Sequence, residues 1–340
     1  MSGSTESMTT SGLNQERTFG EQIVTFLLHY GAYLAFMGVL VYFSIESKVF
    51  LTPRNIIGLL QQVAVLAVVT FGLATVVMGG GTHVISGGID LSLGALIGLL
   101  SGLMAVMMRD AYPIPVALGA GLLTGLAVGA INGSVVVYLR VLPLLATLAM
   151  MYVLGGVELL VTNNLVVSID NALVSFLADT VWFGIPVSIY ILLAVFLIFY
   201  IVLHETRLGV YIQAIGGNKD AAVRSGLGVQ RLSVLSYVLA GFAAWVSAIL
   251  VIGRLSGSTR GIGPLMLLDI ILATYVSAMF SRRQQVNVPG AFLGALFVAV
   301  LSNGFTMINV PTYWTFGVKG LLVLTVVAAT SYQQKRKGRR

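Results

Sequence analysis

The chain has 340 residues, of which 57% are hydrophobic and only 9% are charged, and it contains no cysteine. The absence of cysteine excludes disulfides, thiol catalysis and zinc–thiolate sites. The net charge of +7 is not interleaved with aromatic residues, so it indicates contact with lipid headgroups and not with nucleic acid. Several apolar runs approach the roughly 20 residues that cross a hydrocarbon core as a helix. The sequence therefore predicts an all-α, polytopic membrane bundle.

The hydrophobic runs predict about ten spanning helices. Residues 1–25 are polar and rich in Ser and Thr, and we predict a disordered cytoplasmic tail there. The spans occupy residues 26–331, and residues 332–340 form a basic cytoplasmic tail. The individual spans are predicted at 26–45, 56–78, 91–108, 114–138, 144–162, 186–203, 233–252, 264–280, 288–308 and 312–331.

A polar island at residues 204–231 separates the sixth and seventh spans. Positive residues in short loops stay on the cytoplasmic side of a membrane. If both termini are cytoplasmic, most Lys and Arg residues, including those of the island, lie inside. The outer segments then hold only Lys48, Arg54, Arg109, Arg254 and Arg260. The charge pattern thus predicts ten spans, with both termini and the island in the cytoplasm.

Two segments of the chain resemble one another. GAGLLTGLAVGAINGSV at 119–135 and GAFLGALFVAVLSNGFT at 290–306 share a Gly-Ala pair and an Asn-Gly pair at the same separation. The copies are five spans apart, and an odd number of spans inverts the second relative to the first, as in many transporters. One interpretation is a five-plus-five inverted repeat. The other is coincidence, because Gly and Ala are common in membrane helices.

The glycine-rich stretch GGGTHVISGGIDLSLGAL at 79–96 contains one carboxylate, Asp90. A tight turn in which Asp90 and Ser92 cap a helix beginning near Leu91 is one interpretation. The other is a broken helix at membrane depth, where Asp90 lines a cavity or pairs with a polar partner.

Further polar residues lie inside predicted spans: Asn132, Glu158, Asp269, Asn303 and Lys319. Each is costly in lipid, so each is expected to face the interior of the bundle and to find a partner there. Lys319 is expected to pair with an acidic residue such as Asp269 or Glu158. Such a pair is either purely structural or a ligand contact.

Tyr313, Trp314 and Phe316 begin the last span, where they form an interfacial belt or, alternatively, stack on a sugar ring. The sequence contains no phosphate-binding GxxxxGK[ST] loop, no GxSxG elbow and no HExxH motif. His29 and His83 have no second ligand at metal spacing. We therefore predict no catalytic or metal site, and expect any uphill transport to take its energy from a partner or an ion.

Three ordered blocks resemble the permease subunit of bacterial ABC importers for monosaccharides, the ribose/xylose/autoinducer-2 permease family. They are SGGIDLSLGAL at 86–96, residues 206–250 beginning TRLGVYIQAIGGNKDAAVRSGLGVQR, and residues 267–324 beginning LLDIILATYVSAMFSRRQQ. The resemblance covers residues 50–331. It implies a subunit of the bacterial inner membrane, a cytoplasmic ATPase that holds ATP and Mg²⁺, a periplasmic sugar-binding protein, and a second permease copy or paralogue.

The resemblance also implies roles for residues. Residues 204–232 become a coupling loop, in which a short helix near Lys219–Ser225 docks on the ATPase. Asn218 is able to cap this helix, and arginines offer charge-assisted bonds to an acidic rim. The coupling residues are Arg207, Gly217, Asn218, Lys219, Asp220, Ala221, Arg224 and Arg231. The substrate path is expected to include Asp90, Ser92, Asn132, Asp269, Asn303 and Trp314.

A second class of function remains open from the residues alone. Asp90, Glu158 and Asp269 are also the residues that an ion-coupled secondary carrier would use as a proton or sodium relay. Such a carrier works alone on a gradient, whereas a permease of the ABC type needs its ATPase and binding protein. An intramembrane enzyme is disfavoured, because no nucleophile and base are clustered.

Overall fold

The computed structural model describes residues 19–80, 87–281 and 283–337, and the side chains of residues 30–80, 87–281 and 283–328. Within these ranges the regular secondary structure is helical except for two small β-ladders. β1 (Val167–Ser168) pairs with β4 (Gly257–Ser258), and β2 (Val181–Trp182) pairs with β3 (Ile185–Pro186). The helices are α1 (Phe19–Glu46), α2 (Pro53–Gly80), α3 (Leu93–Arg109), α4 (Ile114–Val137), α5 (Pro143–Val161), α6 (Ala172–Asp179), α7 (Val187–Tyr200), α8 (Arg207–Gly217), α9 (Lys219–Arg224), α10 (Val229–Leu255), α11 (Ile262–Ser277), α12 (Val288–Met307) and α13 (Thr312–Lys337).

Seven helices in the described ranges are long and apolar enough to cross a membrane. They are α2, α4, α5, α7 with its π-helical extension Ile201–Glu205, α10, α11 with its 3₁₀ extension Ala278–Phe280, and α12. Shorter apolar helices occupy Tyr30–Glu46, Leu93–Arg109 and Thr312–Ala328. Together they correspond in order to the ten predicted spans, which confirms the polytopic helical bundle.

Several helix ends differ from the predicted boundaries. α1 begins at Phe19 and α13 continues to Lys337, so residues 19–25 and 332–337 of the predicted tails are helical. α10 begins at Val229, so Arg231 lies in its first turn and not in the preceding loop. Glu, Gln, Lys and Arg favour helix, and a helix therefore continues past the apolar run that marks the membrane. Residues 1–18 and 338–340 of those tails lie outside the described residues.

α2 and α10 form the centre of the bundle and run antiparallel. Ser247 of α10 donates a hydrogen bond to the carbonyl oxygen of Val65, at 2.9 Å, whereas Ser236 packs against Gly79 at the other end of α2. α4 packs against α10 through Gly125, Gly129 and Gly133, each of which lies too close to the α10 backbone for a Cβ atom. Gly121, one turn earlier, leaves room for the Met104 side chain of α3. Small residues at this spacing let membrane helices approach closely.

The packing of the helices repeats after five spans. α3 packs on α4 as α11 packs on α12, and α4 packs on α10 as α12 packs on α2. In the same way α3 contacts α5 and α10, while α11 contacts α13 and α2. These four contacts of the first half thus each have a counterpart one repeat later. The pattern supports the five-plus-five inverted repeat that the echo between residues 119–135 and 290–306 suggests.

α3 and α11 both begin inside the bundle. α3 follows the end of α2, and α11 follows the end of α10. Because α2 and α10 are antiparallel, α3 and α11 enter the bundle from opposite ends. Their first turns nevertheless touch, because a Cβ atom on Gly263 would lie 2.7 Å from the carbonyl oxygen of Gly94. Gly88 lies directly against the carbonyl oxygen of Val76, so the chain before α3 returns alongside α2. In its described part, the glycine-rich stretch is therefore a break at depth; residues 81–86, with His83, lie outside the described residues.

Candidate translocation site

Asp90 lies at the N-terminus of α3, in a buried polar cluster with Ser92 and Asn132. Its Oδ1 accepts hydrogen bonds from the Ser92 backbone N–H, at 2.9 Å, and from the Ser92 hydroxyl, at 2.6 Å. The Asn132 amide donates to the Ser92 hydroxyl, at 2.8 Å, and approaches Asp90 Oδ2 at 3.5 Å. α3 begins at Leu93, two residues after the predicted start near Leu91. The side chain of Ser92 does not cap the helix, contrary to the prediction.

Glu158 of α5 lies at the N-terminus of α11, as Asp90 lies at the N-terminus of α3. Its Oε1 accepts a hydrogen bond from the backbone N–H of Gly261, at 3.3 Å, in the residue just before α11. Glu158 is buried, and the absence of a side chain at Gly98 makes room for its carboxylate. A helix N-terminus carries partial positive charge and unpaired N–H groups. Asp90 and Glu158 therefore stabilise the two helices that begin inside the bundle.

Asn303 of α12 pairs with a residue that sequence reasoning did not select. Its amide donates to the Asn55 side-chain oxygen, at 2.9 Å, and Asn55 donates back to Asn303, at 3.0 Å. Asn55 also donates to the carbonyl oxygen of Phe50, at 2.8 Å. The two amides therefore satisfy one another and join the first turn of α2 to the last turns of α12.

Lys319 pairs with Asp269, which confirms the expected ion pair and selects Asp269 over Glu158. Lys319 Nζ lies 2.7 Å from Asp269 Oδ1 and 3.0 Å from Oδ2. The pair lies in the wall of a cavity of about 330 Å³, located at the end of the bundle opposite α8 and α9. The cavity lies between α2, α10, α11, α12 and α13. Its polar lining includes Gln62, Arg254, Ser302, Thr306, Thr312 and Thr315.

Among the six predicted path residues, Asp269 is the one found in the lining of this cavity. Asp90, Ser92 and Asn132 are enclosed by protein, and Asn303 is held by Asn55. Trp314 is 63% exposed beside Tyr313, as a residue of an interfacial belt would be, while Phe316 faces the cavity. Gln62 lies inside the predicted span 56–78, so its polarity was a signal that the sequence reasoning missed. Arg254 lies in the last turn of α10, outside the predicted span 233–252, where a polar residue is ordinary.

The predicted coupling residues form a second exposed surface. α8 and α9 follow the π-helical end of the sixth span, where Gln213 donates to the carbonyl oxygen of Leu203, at 2.8 Å. Asn218 caps α9 as predicted, because its Oδ1 accepts from the Ala221 backbone N–H at 2.9 Å. Ile215, Ala222 and Val229 pack together beneath the unit. The exposed residues are Arg207, Gly217, Asn218, Lys219, Asp220, Ala221, Arg224 and Arg231.

A second cavity opens at the α8–α9 end of the bundle. It lies between the last turns of α2 and α4 and the first turns of α10, and Arg140, Lys219 and Arg231 contribute to its lining. In the described part of the chain, no group of three His, Cys, Asp or Glu residues is arranged to hold a metal ion. Among the described residues, a cavity with polar lining thus lies near each of the two ends of the bundle.

The repeated helices, the breaks at depth and the two opposed cavities define a membrane permease. Residues 55–327 match the family described as the permease component of branched-chain amino acid transport systems. The chain belongs to this family, and within it to the permeases of monosaccharide ABC importers.

Similarity to individual relatives extends over nearly the whole chain. The ribose import permease protein RbsC of Escherichia coli K12 is 32% identical over 96% of this chain and 100% of its own length. RbsC of Bacillus subtilis is 31% identical over 87% of this chain and 91% of its own length. The autoinducer 2 import system permease protein LsrD of Yersinia enterocolitica is 30% identical, over 74% and 78% respectively. No solved structure matches the chain.

Proposed function

We propose that the chain is the membrane-spanning subunit of an ATP-driven importer that carries a monosaccharide, or a related polyol, across the bacterial inner membrane. ATP hydrolysis takes place on a partner ATPase in the cytoplasm, and a periplasmic sugar-binding protein delivers the substrate. A second copy of the chain, or a paralogue, completes the pore. The observation that carries the proposal is the exposed α8–α9 unit, a compact polar platform between two spans of a bundle that is otherwise apolar.

The α8–α9 unit has the properties of a surface that transmits force. Gly209 lies directly against the carbonyl oxygen of Leu203, so α8 is packed tightly on the end of the sixth span. The same corner is tied to α12, because the backbone N–H of Val288 donates to His204 Nε2 at 3.3 Å. A push on α9 is therefore passed directly to two spans. Arg224 and Arg231 are exposed and able to form charge-assisted bonds with acidic groups of a partner.

This role assigns the orientation of the bundle. The α8–α9 end faces the cytoplasm, where the ATPase lies, and both termini lie on the same side. The cavity beside Asp269 then opens towards the periplasm and the sugar-binding protein, as alternating access requires. The helices around the path are held together by hydrogen bonds of Asp90, Ser92, Asn132 and Asn303. These residues therefore have a structural role and do not contact the substrate.

The test is transport by the purified permease in liposomes, with and without its ATPase and its binding protein. D-Ribose, D-xylose and D-galactose serve as labelled probes, and ATP is supplied on the ATPase side. We expect uptake of at least one probe that requires ATP, the ATPase and the binding protein together. Uptake by the permease alone on a proton or sodium gradient would instead establish the ion-coupled carrier.

A further inference from the structure

The cavity beside the Asp269–Lys319 pair is lined by a carboxylate whose hydrogen-bonding capacity is not fully used within the described residues. Of the two short contacts that Lys319 makes, only the one to Oδ2 has hydrogen-bond geometry. Asp269 Oδ1 is buried and makes no hydrogen bond within the described residues. The Ser302 hydroxyl, which also lines the cavity, donates to the carbonyl oxygen of Val298 at 2.8 Å. Oδ1 thus lies against the Lys319 ammonium without a hydrogen bond of good geometry.

The site is also unusual in its charge. The side chains of Lys319 and Asp269 are only 7% and 17% exposed, respectively, yet they lie among apolar helices. Replacing such a pair with apolar residues is often neutral or stabilising, so burial of this pair does not by itself explain why the charges are there. Ionisable groups inside membrane proteins characteristically mark the path of a substrate or an ion.

We propose that this cavity binds a neutral, polyhydroxylated molecule of monosaccharide size, with Asp269 and Lys319 as its recognition pair. This inference rests on the proposed direction of transport. A sugar hydroxyl donates to the Asp269 carboxylate, and a neighbouring hydroxyl oxygen accepts from the Lys319 ammonium. Gln62 and Arg254 offer further polar contacts, and Arg254 already reaches Gln62 Oε1 at 3.5 Å.

The size and charge of the cavity favour this ligand class. Its volume of about 330 Å³ is at the lower end of the ~300–1,000 Å³ typical of small-molecule sites. The Asp269 and Lys319 charges cancel, so a neutral ligand is bound without leaving a buried charge unpaired. Mixed donors and acceptors suit hydroxyl groups, which need both. The exposed Arg254 at one side makes an anionic sugar acid the competing ligand.

The absence of cysteine provides a direct test in the assembled transporter. Thr306→Cys places a single thiol in the lining, and a charged maleimide is added from the binding-protein side without ATP. We expect D-ribose, D-xylose or D-galactose to slow labelling, and D-gluconate to have no effect. Asn164→Cys, exposed at the same end of the bundle, is the control and is expected to be labelled equally with and without sugar.

Variants of the pair decide whether it recognises the ligand. In the Thr306→Cys background, Asp269→Asn and Lys319→Gln are each expected to raise the sugar concentration needed for protection by about tenfold or more. Asp110→Asn, which alters an exposed ion pair with Arg109, is the matched control. The exchange of Asp269→Lys with Lys319→Asp keeps the ion pair but reverses the donors and acceptors, so it is expected to remain defective.

Three results would overturn the inference. They are the absence of protection by every neutral sugar, protection by D-gluconate alone, and full recovery in the exchange variant, which would make the pair purely structural. Labelling requires neither ATP hydrolysis nor uptake. Protection without ATP-driven uptake would therefore refute the proposed function but support the sugar site. ATP-driven uptake without protection would support the proposed function but refute the sugar site.

Discussion

Gly125 of α4 and Gly241 of α10 lie against each other, so that a Cβ atom on either would meet the backbone carbonyl oxygen of the other. For Gly125 that distance would be 2.8 Å. The contact lies in the middle of both helices and is continued by further close approaches to the α10 backbone at Gly129 and Gly133. The backbones of α4 and α10 are thus in direct contact, and no flexible side chain is available to absorb a larger residue.

Gly241→Ala is therefore expected to destabilise the bundle by about 1–3 kcal/mol, the usual cost of overpacking. Gly156→Ala is the control, because a Cβ atom there meets nothing within 4 Å. Thermal denaturation in detergent, followed by size-exclusion chromatography, measures the difference. Equal melting temperatures for the two variants would contradict the close approach of α4 and α10.

The Asn55–Asn303 pair is expected to couple α2 to α12. Asn303→Leu leaves the Asn55 amide with one of its partners removed, and Asn55→Leu does the same to Asn303. In a double-mutant cycle the pair should show a coupling energy of about 0.6 kcal/mol, as polar pairs between membrane helices do on average. Unfolding in detergent supplies the four free energies. Strict additivity of the two substitutions would show that the amides act independently.

The sequence predicted those features that depend on the cost of transferring a group into lipid. Ten apolar runs and one polar island gave the spans and the exposed α8–α9 unit. A charge within a span required a partner, which predicted that Lys319 pairs with an acidic residue such as Asp269 or Glu158; the structure selects Asp269. Asn218 was predictable for a local reason, since a helix cap needs only the residues that follow it.

The remaining features depend on contacts between segments that are distant in the chain. Glu158 binds a backbone N–H at Gly261, and a backbone donor leaves no mark on the sequence. The glycine-rich stretch before Asp90 fits a surface turn as well as a break at depth, and only the contact of α3 with α11 distinguishes them. The cavity lining is drawn from five helices, so the spacing of residues within any one of them did not reveal it.

Asp90 is expected to contribute mainly to stability. Asp90→Ala removes the acceptor of the Ser92 N–H and hydroxyl groups, and leaving buried donors unpaired costs about 1–3 kcal/mol. Asp90→Asn retains one acceptor oxygen and should recover part of that loss. Thermal unfolding of both variants in detergent gives the ranking. If Asp90→Ala were as stable as the wild type while transport was lost, Asp90 would belong to the substrate path.

Asn218→Ala is expected to weaken α9 by about 1 kcal/mol, because the Ala221 N–H loses its cap. The protein should still insert and purify normally, since α9 lies outside the spans. ATP-dependent uptake and copurification of the ATPase should both fall. Asn218→Asp retains a capping oxygen and is the control. A defect of the same size in Asn218→Asp would mean that the amide contacts the ATPase directly and does not act through the helix.

Arg224→Glu tests the surface without changing the fold of α9. Arg224 is exposed at the end of that helix, so reversal of its charge has little effect on the stability of the isolated permease. A charge-assisted bond across an interface is lost and replaced by repulsion, which costs several kcal/mol where the partner is acidic. We therefore expect ATP-driven uptake to be abolished while sugar protection of the Thr306→Cys thiol persists.

Arg54→Glu, an exposed reversal at the opposite end of the bundle, is the matched control and should leave coupling to the ATPase intact. Normal ATP-driven uptake by Arg224→Glu would remove Arg224 from the ATPase interface, and loss of uptake in both variants would show that charge reversal disturbs the protein generally.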